Sequence, residues 1–396
     1  MIFVFQSWDQ KSLFLKQIVA RYSVSAGISG EFLSMTFEEV ICALYIHGLI
    51  VINITADGAA ENRSCFKQLA TFQAQDLFKA TPGKQLPNPK LPVAFLHLSD
   101  DNLKVFIGGE MPHLVKKIAN AMYRSSRDDK STNLIYKGKE INLNMIKVAW
   151  ESVDQFSMGG IRLTKCTEDH FNRNQYNSMR VYLATQVFSQ SVINMVKVYI
   201  NSFPVECMEE IRKNYEPLLI IIDKLDRLID IWNGNRSKGC ECINSRKHNH
   251  IQELREILDT FNEWKHQCTN VKVKFIPEQS WEDLCWLVYG IEGVATTYLF
   301  EETSRVMVQR RGGSDVCENM FAEIRFANQR PTGEQASQVV ARRSGFRGAE
   351  GKAFTRIVKT NSDRGEIVDL DILCKDIKKT KKIMQSIVDD CNTNNK

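Results

Sequence analysis

The apolar positions change their period partway along the chain. Over residues 1–120, short apolar runs alternate with helical patterns, as in an α/β unit. The spacing predicts strands at Met1–Phe5 and Ile18–Val24, an amphipathic helix at Phe32–His47, and a buried strand at Gly48–Ala56 that ends at Asp57. A second helix is predicted from about Asn62 to Phe72, with strands at Val93–Leu98 and Leu103–Ile107. Thr81–Lys90 carries three prolines and reads as a loop between elements.

From about Asn142 to Trp264 the apolar residues recur at three and four positions, which predicts long helices such as Tyr176–Tyr199 and Ile211–Trp232. A basic loop, Gly234–His250, separates these from a helix at Ile251–His266. Ser280–Leu299 is predicted helical, and Asp315–Ala327 forms a shorter helix that stops at Arg330-Pro331. After Gly345 the chain is rich in Gly, Lys and Arg, with one short helix at Leu370–Val388. The expected class is α/β, with a sheet-bearing first part and a mainly helical middle.

Composition adds bounds. With 396 residues, 43% hydrophobic and 25% charged, the chain is large enough for more than one packed core. Its net charge of +5 is too mild to identify a polyanion partner. The stretch Ala341–Lys396 holds 13 basic and 8 acidic residues, a surplus of 13 − 8 = 5, so the remainder is neutral. No apolar run approaches the roughly 20 residues that a membrane helix needs, and no membrane partner is expected. Met1–Phe5 has no basic flank and is expected as a strand rather than a leader. Eleven cysteines without framework spacing suit reduced thiols.

Several residue groups are chemically suggestive. Asp57-Gly58 follows a buried strand, where open α/β sheets place functional groups; its carboxylate suits a divalent cation or the cap of the next helix. Asp315 and Glu318 share one helix face, either as ligands or as first-turn acids suited to the helix dipole. Glu110-Met111-Pro112-His113, with Lys116 and Lys117, opens a helix after a strand, which suits a phosphate contact or a structural turn. Cys240-x-Cys242 with His248-x-His250 invites zinc, but these spacings are tighter than those of zinc fingers. The basic tail, including Lys378-Lys379 and Arg342-Arg343, suits DNA phosphates, nuclear import or plain solvation.

Taken together, three of these groups and a fourth block resemble P-element-type DNA transposases, the group that includes the THAP-domain transposases. Asp57-Gly58 with Asn62-Arg63 resembles that family's D-G-x-x-x-N-R block. Pro112-His113-Leu114-Val115-Lys116 with Asn120 is similar to its P-H-L-x-K block. Leu163-Thr164-Lys165, with Met179-Arg180-Val181 and Ala184-Thr185-Gln186-Val187-Phe188-Ser189, resembles its K-M-R-V…A-x-Q-V-F-S block. Asp315-x-x-Glu318…Phe321…Ile324-Arg325, followed by Pro331-Thr332, resembles the closing block.

The resemblance implies an RNase H-like mixed sheet with helices, interrupted by a mainly helical insertion domain of the GTP-binding type. Its boundaries are expected at 1–125 for the first part, 140–268 for the insertion, 270–335 for the closing helices and 336–396 for a basic tail. Asp57 and Glu318 lie 261 positions apart, which an inserted domain accounts for. The resemblance also implies Mg²⁺ held by Asp57 and Glu318, with Asp315 beside them. For GTP it implies Asp230 and Asn233, although no P-loop occurs. The expected partners are DNA at transposon ends and either a second copy or full-length transposase, in the nucleus. The family's first catalytic strand and its zinc finger have no match here, and Asp9 falls in a loop position. Little or no DNA cleavage is therefore expected. The competing expectation is a non-catalytic DNA- or protein-binding protein, or a regulator of the parent transposase.

Overall fold

The structure is a computed structural model that describes residues 2–7, 16–21, 27–127, 131–154, 162–174, 176–234, 242–299 and 306–314, with Cys317, Phe326 and 366–367 beyond them. In chain order, the elements begin with β1 (Ile2–Gln6), β2 (Lys16–Arg21), α1 (Gly30–Ile46), β3 (Asn53–Thr55) and α2 (Ala60–Leu69). They continue with β4 (Phe72–Gln73), α3 (Ala74–Leu77), β5 (Pro92–His97), β6 (Asp100–Gly108), α4 (Met111–Ser125), β7 (Ile135–Tyr136) and β8 (Lys139–Glu140). The helices α5 (Leu143–Val153), α6 (Glu168–Phe171), α7 (Val181–Val187), α8 (Gln190–Asn201) and α9 (Val205–Trp232) follow. After them come α10 (Asn249–Gln267), α11 (Val271–Lys274), α12 (Glu278–Tyr298) and the short β9 (Glu366–Ile367). The α/β class expected from the sequence is the one found. By contacts the chain divides into one unit of Met1–Thr71, Ala94–Phe106 and Arg311–Lys396, and a second of Phe72–Val93 and Ile107–Arg310.

In the first unit, β1 and β2 form an antiparallel hairpin. Its Val19 and Ala20 are buried with Val40, Leu44 and Leu49, and Phe3 and Phe5 pack against this cluster. Helix α1 starts where the Ser29 hydroxyl accepts the Phe32 N–H at 3.1 Å, and it buries Leu33, Val40, Ile41 and Leu44 at helical spacing. It ends in a Schellman turn: Gly48, at φ 77°, donates to Tyr45 O, and Leu49 N–H reaches back to Leu44 O. This turn explains a departure from the sequence reading. The strand predicted over Gly48–Ala56 is limited to Asn53–Thr55, because Gly48 and Leu49 are spent on closing α1. Within this unit β3 neighbours β6, and β6 pairs antiparallel with β5 from Ala94↔Phe106 to His97↔Asp100.

The second unit is mainly helical. Its α12 is buried nearly all round and includes Trp281, Trp286 and Tyr289. At Gly109 a Cβ would stand 2.3 Å from the Asp283 carbonyl, and at Gly290 it would stand 2.8 Å from Ile107 O. Glycine is therefore required on both sides of that crossing. The long helix predicted over Tyr176–Tyr199 is broken into α7 and α8. Ser189 has extended backbone, its hydroxyl bonds Gln186 O at 2.7 Å, and its own carbonyl accepts the first N–H groups of α8. The Asp315–Ala327 helix is described only at Cys317 and Phe326, and the Leu370–Val388 helix lies outside the described residues. No described helix is long and apolar enough to cross a membrane.

Candidate functional site

Asp57 stands two residues beyond β3 and is exposed. Its Oδ1 accepts from the Ala59 N–H at 3.2 Å and from Asn62 Nδ2 at 2.7 Å, and Asn62 also bonds the Asp57 carbonyl. Arg63 is buried and donates from Nε to Gly58 O at 3.3 Å. The D-G-x-x-x-N-R spacing therefore has a local cause: the Asn and Arg, one helical turn on, lock the turn that carries the aspartate. One carboxylate oxygen is committed to this lock, while Oδ2 has no hydrogen-bond partner among the described residues. A hard carboxylate oxygen left open in this way suits Mg²⁺. Glu318 and Asp315 lie outside the described residues. Among the described residues, no three His, Cys, Asp or Glu side chains come together as a metal cluster.

The other blocks acquire structural roles. Glu110 is buried, and its Oε2 contacts His113 Nδ1 at the start of α4; its Oε1 is buried without a partner. Lys117 is paired with Asp283 at 2.9 Å. Gln186 accepts from His170 Nε2 at 2.9 Å, while His170 Nδ1 takes the Thr167 N–H, which fixes the Nε2–H tautomer. Burial lowers the His170 pKa, against the hydrogen bonds that raise it. Asn120 Oδ1 accepts from Arg173 Nη1 at 2.6 Å.

Asp230 is exposed on the last turn of α9, and Asn233 is the C-cap of that helix. Asp226, one turn earlier, has its carboxyl pushed up to about 6 by burial and by the Asp230 charge. Beyond Asn233, a Cβ on Gly234 would meet Gln309 Oε1 at 2.2 Å. The Gln309 amide is buried with neither its donor nor its acceptor satisfied. Of the zinc candidates, Cys240 lies outside the described residues. His248 Nδ1 accepts the His250 N–H at the start of α10, and His250 Nδ1 faces Arg227 and Glu253. Burial raises the buried thiols Cys65 and Cys166, to about 12 and about 11, so neither is a ready thiolate.

Among the described residues, Gln309 and the buried Nη2 of Arg173, which also lacks a partner, have no counterpart in the sequence reading. Each is a single polar residue outside any motif, so no pattern announced it.

No family model matches the chain. Over 162 residues, 41% of this chain, it is 24% identical to the Transposable element P transposase of Drosophila melanogaster; the match spans only 18% of that relative. The fold matches the Drosophila P element transposase strand transfer complex with a TM-score of 0.59 at 19% identity. That match covers 86% of this chain and 73% of the other. This chain is similar to P-element-type transposases in sequence and in fold. The P-element blocks consequently lie on the elements just described: D-G-x-x-x-N-R after β3, P-H-L-x-K in α4, and M-R-V…A-x-Q-V-F-S from the turn before α7 to the start of α8.

Proposed function

We propose that this chain is a P-element-like transposase that acts on DNA in the nucleus, with Asp57 as one of its metal-binding carboxylates. The observation that carries this reading is the locked turn after β3, where Asn62 holds one oxygen of an exposed aspartate and leaves the other outward. Asp57 and Glu318 would hold the divalent cation, with Asp315 beside them. When bound, such cations activate the attacking oxygen and stabilise the leaving one during phosphodiester hydrolysis and strand transfer. Asp57 is held in place before any ligand arrives, so its geometry costs no reorganisation. An insertion within the catalytic domain, at about residues 140–268, is supported by the clustering of Ile107–Arg310 while Arg311–Lys396 groups with the first unit.

For a guanine nucleotide, the end of α9 offers Asp230, Asn233 and the unsatisfied Gln309 amide. A helix C-terminus repels phosphate and favours the N–H edge of a base. These residues therefore fit the base, and the phosphates must be met elsewhere.

The test is nicking of terminal-repeat duplex DNA by the purified chain in Mg²⁺ or Mn²⁺, which decides between a working Asp57 site and the little or no cleavage expected from the sequence. Asp57→Ala abolishes nicking if the reading holds. DNA binding that falls steeply with salt, without nicking in either metal, favours the non-catalytic binding protein instead.

A further inference from the structure

The second unit carries a surface that the catalytic reading leaves unused. It lies where the end of α4 meets the segment from α6 to α7. Arg173 is half-buried there. Its Nη1 donates to Asn120 and its Nε to the His170 carbonyl, while Nη2 is buried with no acceptor. Among the described residues it meets no carboxylate, and burial pushes its pKa down to about 10. Arg173 therefore braces this segment from within, tying it to α4 through Asn120, while Arg127 and Arg180 are left facing solvent. Its surroundings are also basic: the Tyr123 hydroxyl bonds the Arg173 carbonyl at 3.3 Å, and the Arg127 guanidinium lies 5.7 Å from the Tyr123 ring centre.

The chain then runs outward. Asn174 Oδ1 accepts from the Tyr176 and Asn177 N–H groups, which fixes a short turn before α7. That turn leaves Tyr176 81%, Met179 68% and Tyr182 51% exposed. Arg180 donates to the Tyr182 hydroxyl at 3.2 Å and meets Asp169 only at 4.0 Å. An exposed tyrosine ring and an exposed arginine are thus in contact on this surface, with Tyr176 and Met179 exposed nearby in the chain. They match a ligand that offers anionic groups and flat faces in alternation.

Resting on the reading of this chain as a DNA-acting protein, we infer that the exposed Arg180 and Arg127 with Tyr176 and Tyr182 form a binding surface for unpaired, single-stranded DNA. The arginines meet phosphates, and the tyrosines stack on bases. Paired bases hide their faces inside the duplex, so the exposed rings select an unpaired strand. Met179 adds apolar area beside them.

The test uses the full chain and fluorescence anisotropy on two probes: a blunt duplex, and the same duplex with a thymidine tail of about 12 nucleotides. The tailed probe binds about ten-fold more tightly, and Tyr176→Ala and Tyr182→Ala each remove most of that advantage while leaving blunt-duplex binding in place. Arg180→Gln reduces the salt slope on the tailed probe by about 0.7. All three positions are exposed, and circular dichroism confirms that the variants fold. A tail that adds no affinity, or tyrosine variants that keep its advantage, overturns this inference alone, because duplex binding persists. Failure of the wild-type chain to bind either probe overturns the DNA-acting reading and this inference with it. A preference for a uridine tail over a thymidine one would make the surface an RNA site and overturn the DNA assignment.

Discussion

Asp57 shows what a single residue gains from its neighbours. An isolated Asp-Gly turn would let the carboxylate rotate, whereas Asn62 binds both its Oδ1 and its carbonyl, and Arg63 holds the Gly58 carbonyl. Asn62→Ala removes only the lock, so metal-dependent nicking should weaken without the complete loss expected of Asp57→Ala; cleavage rates for the two variants distinguish them. Asp226 is the opposite case, a carboxylate placed where its charge is unwelcome. Burial, Asp230 and Asp223 raise its pKa from an ordinary 3.8 to about 6. A carboxyl raised in this way favours the folded state while protonated, and that contribution is lost as pH rises from about 4 through about 6. Asp226→Asn should therefore raise Tm at pH 7 and leave it unchanged near pH 4. The gain is small because solvent screens a half-exposed group. Thermal denaturation at the two pH values checks it.

At the level of elements, helix ends decide more than helix middles. The turn after α1 needs a left-handed residue at Gly48, and its hydrogen bonds bring Leu49 into the core beside Leu44. Gly48→Ala should cost about 1 kcal/mol in urea denaturation, and Gly48→Asn less, because asparagine tolerates that conformation better. Gly109→Ala works by a different route. Its added methyl would meet the α12 backbone, which cannot step aside, so about 1–3 kcal/mol of overpacking is expected. These same ends mark the limits of what the sequence could reveal. Apolar periodicity located α1, α10 and α12 within about two residues and the end of α9, because their buried faces follow the helical repeat, while the exposed first turns of α9 from Val205 carry no such signal. It ran α7 into α8, since Val187 and Phe188 continue the apolar pattern while the break depends on the hydroxyl and backbone of Ser189. The candidate site was partly legible for a related reason. Asp57, Asn62 and Arg63 are close in sequence, so their spacing carries their geometry. Arg173 with Asn120, and Gln309 with Gly234, meet only through the fold.

At the scale of the whole molecule, the helical unit is closed by a segment that precedes it by far in the chain. The proline-rich stretch Thr81–Lys90 reads as an excursion, yet it and its flanks seat on α10 and α12. Thr81 and Lys84 reach Asp259, the Tyr289 hydroxyl donates to Pro87 O, and Trp286 Nε1 donates to Pro92 O at 2.7 Å. At the centre, Phe78 stacks on Tyr289 at 4.7 Å, and the Arg255 guanidinium lies 5.2 Å and 5.1 Å from the two ring centres. Arg255 also forms a two-point pair with Glu292, each side chain only 12% exposed. Burial already raises the Glu292 carboxyl above the usual range, and Arg255 is what holds it down. Arg255→Met would strip that support and leave a desolvated charge, at a cost of about 3–5 kcal/mol near neutral pH. The sign of the pH dependence follows: with its pKa raised further, Glu292 is tolerated protonated and penalised ionised. The variant should therefore lose least at pH 4 and progressively more as pH rises toward 7. Adding Glu292→Gln to Arg255→Met removes the stranded charge and should restore much of the neutral-pH stability. Arg255→Lys should not match wild type, because an ammonium cannot make the two-point contact with Glu292 while packing against both rings. Denaturant titrations of the three variants at both pH values test this chain of reasoning; equal losses for Arg255→Met at pH 4 and pH 7 would show that packing, not the buried charge, holds this closure together.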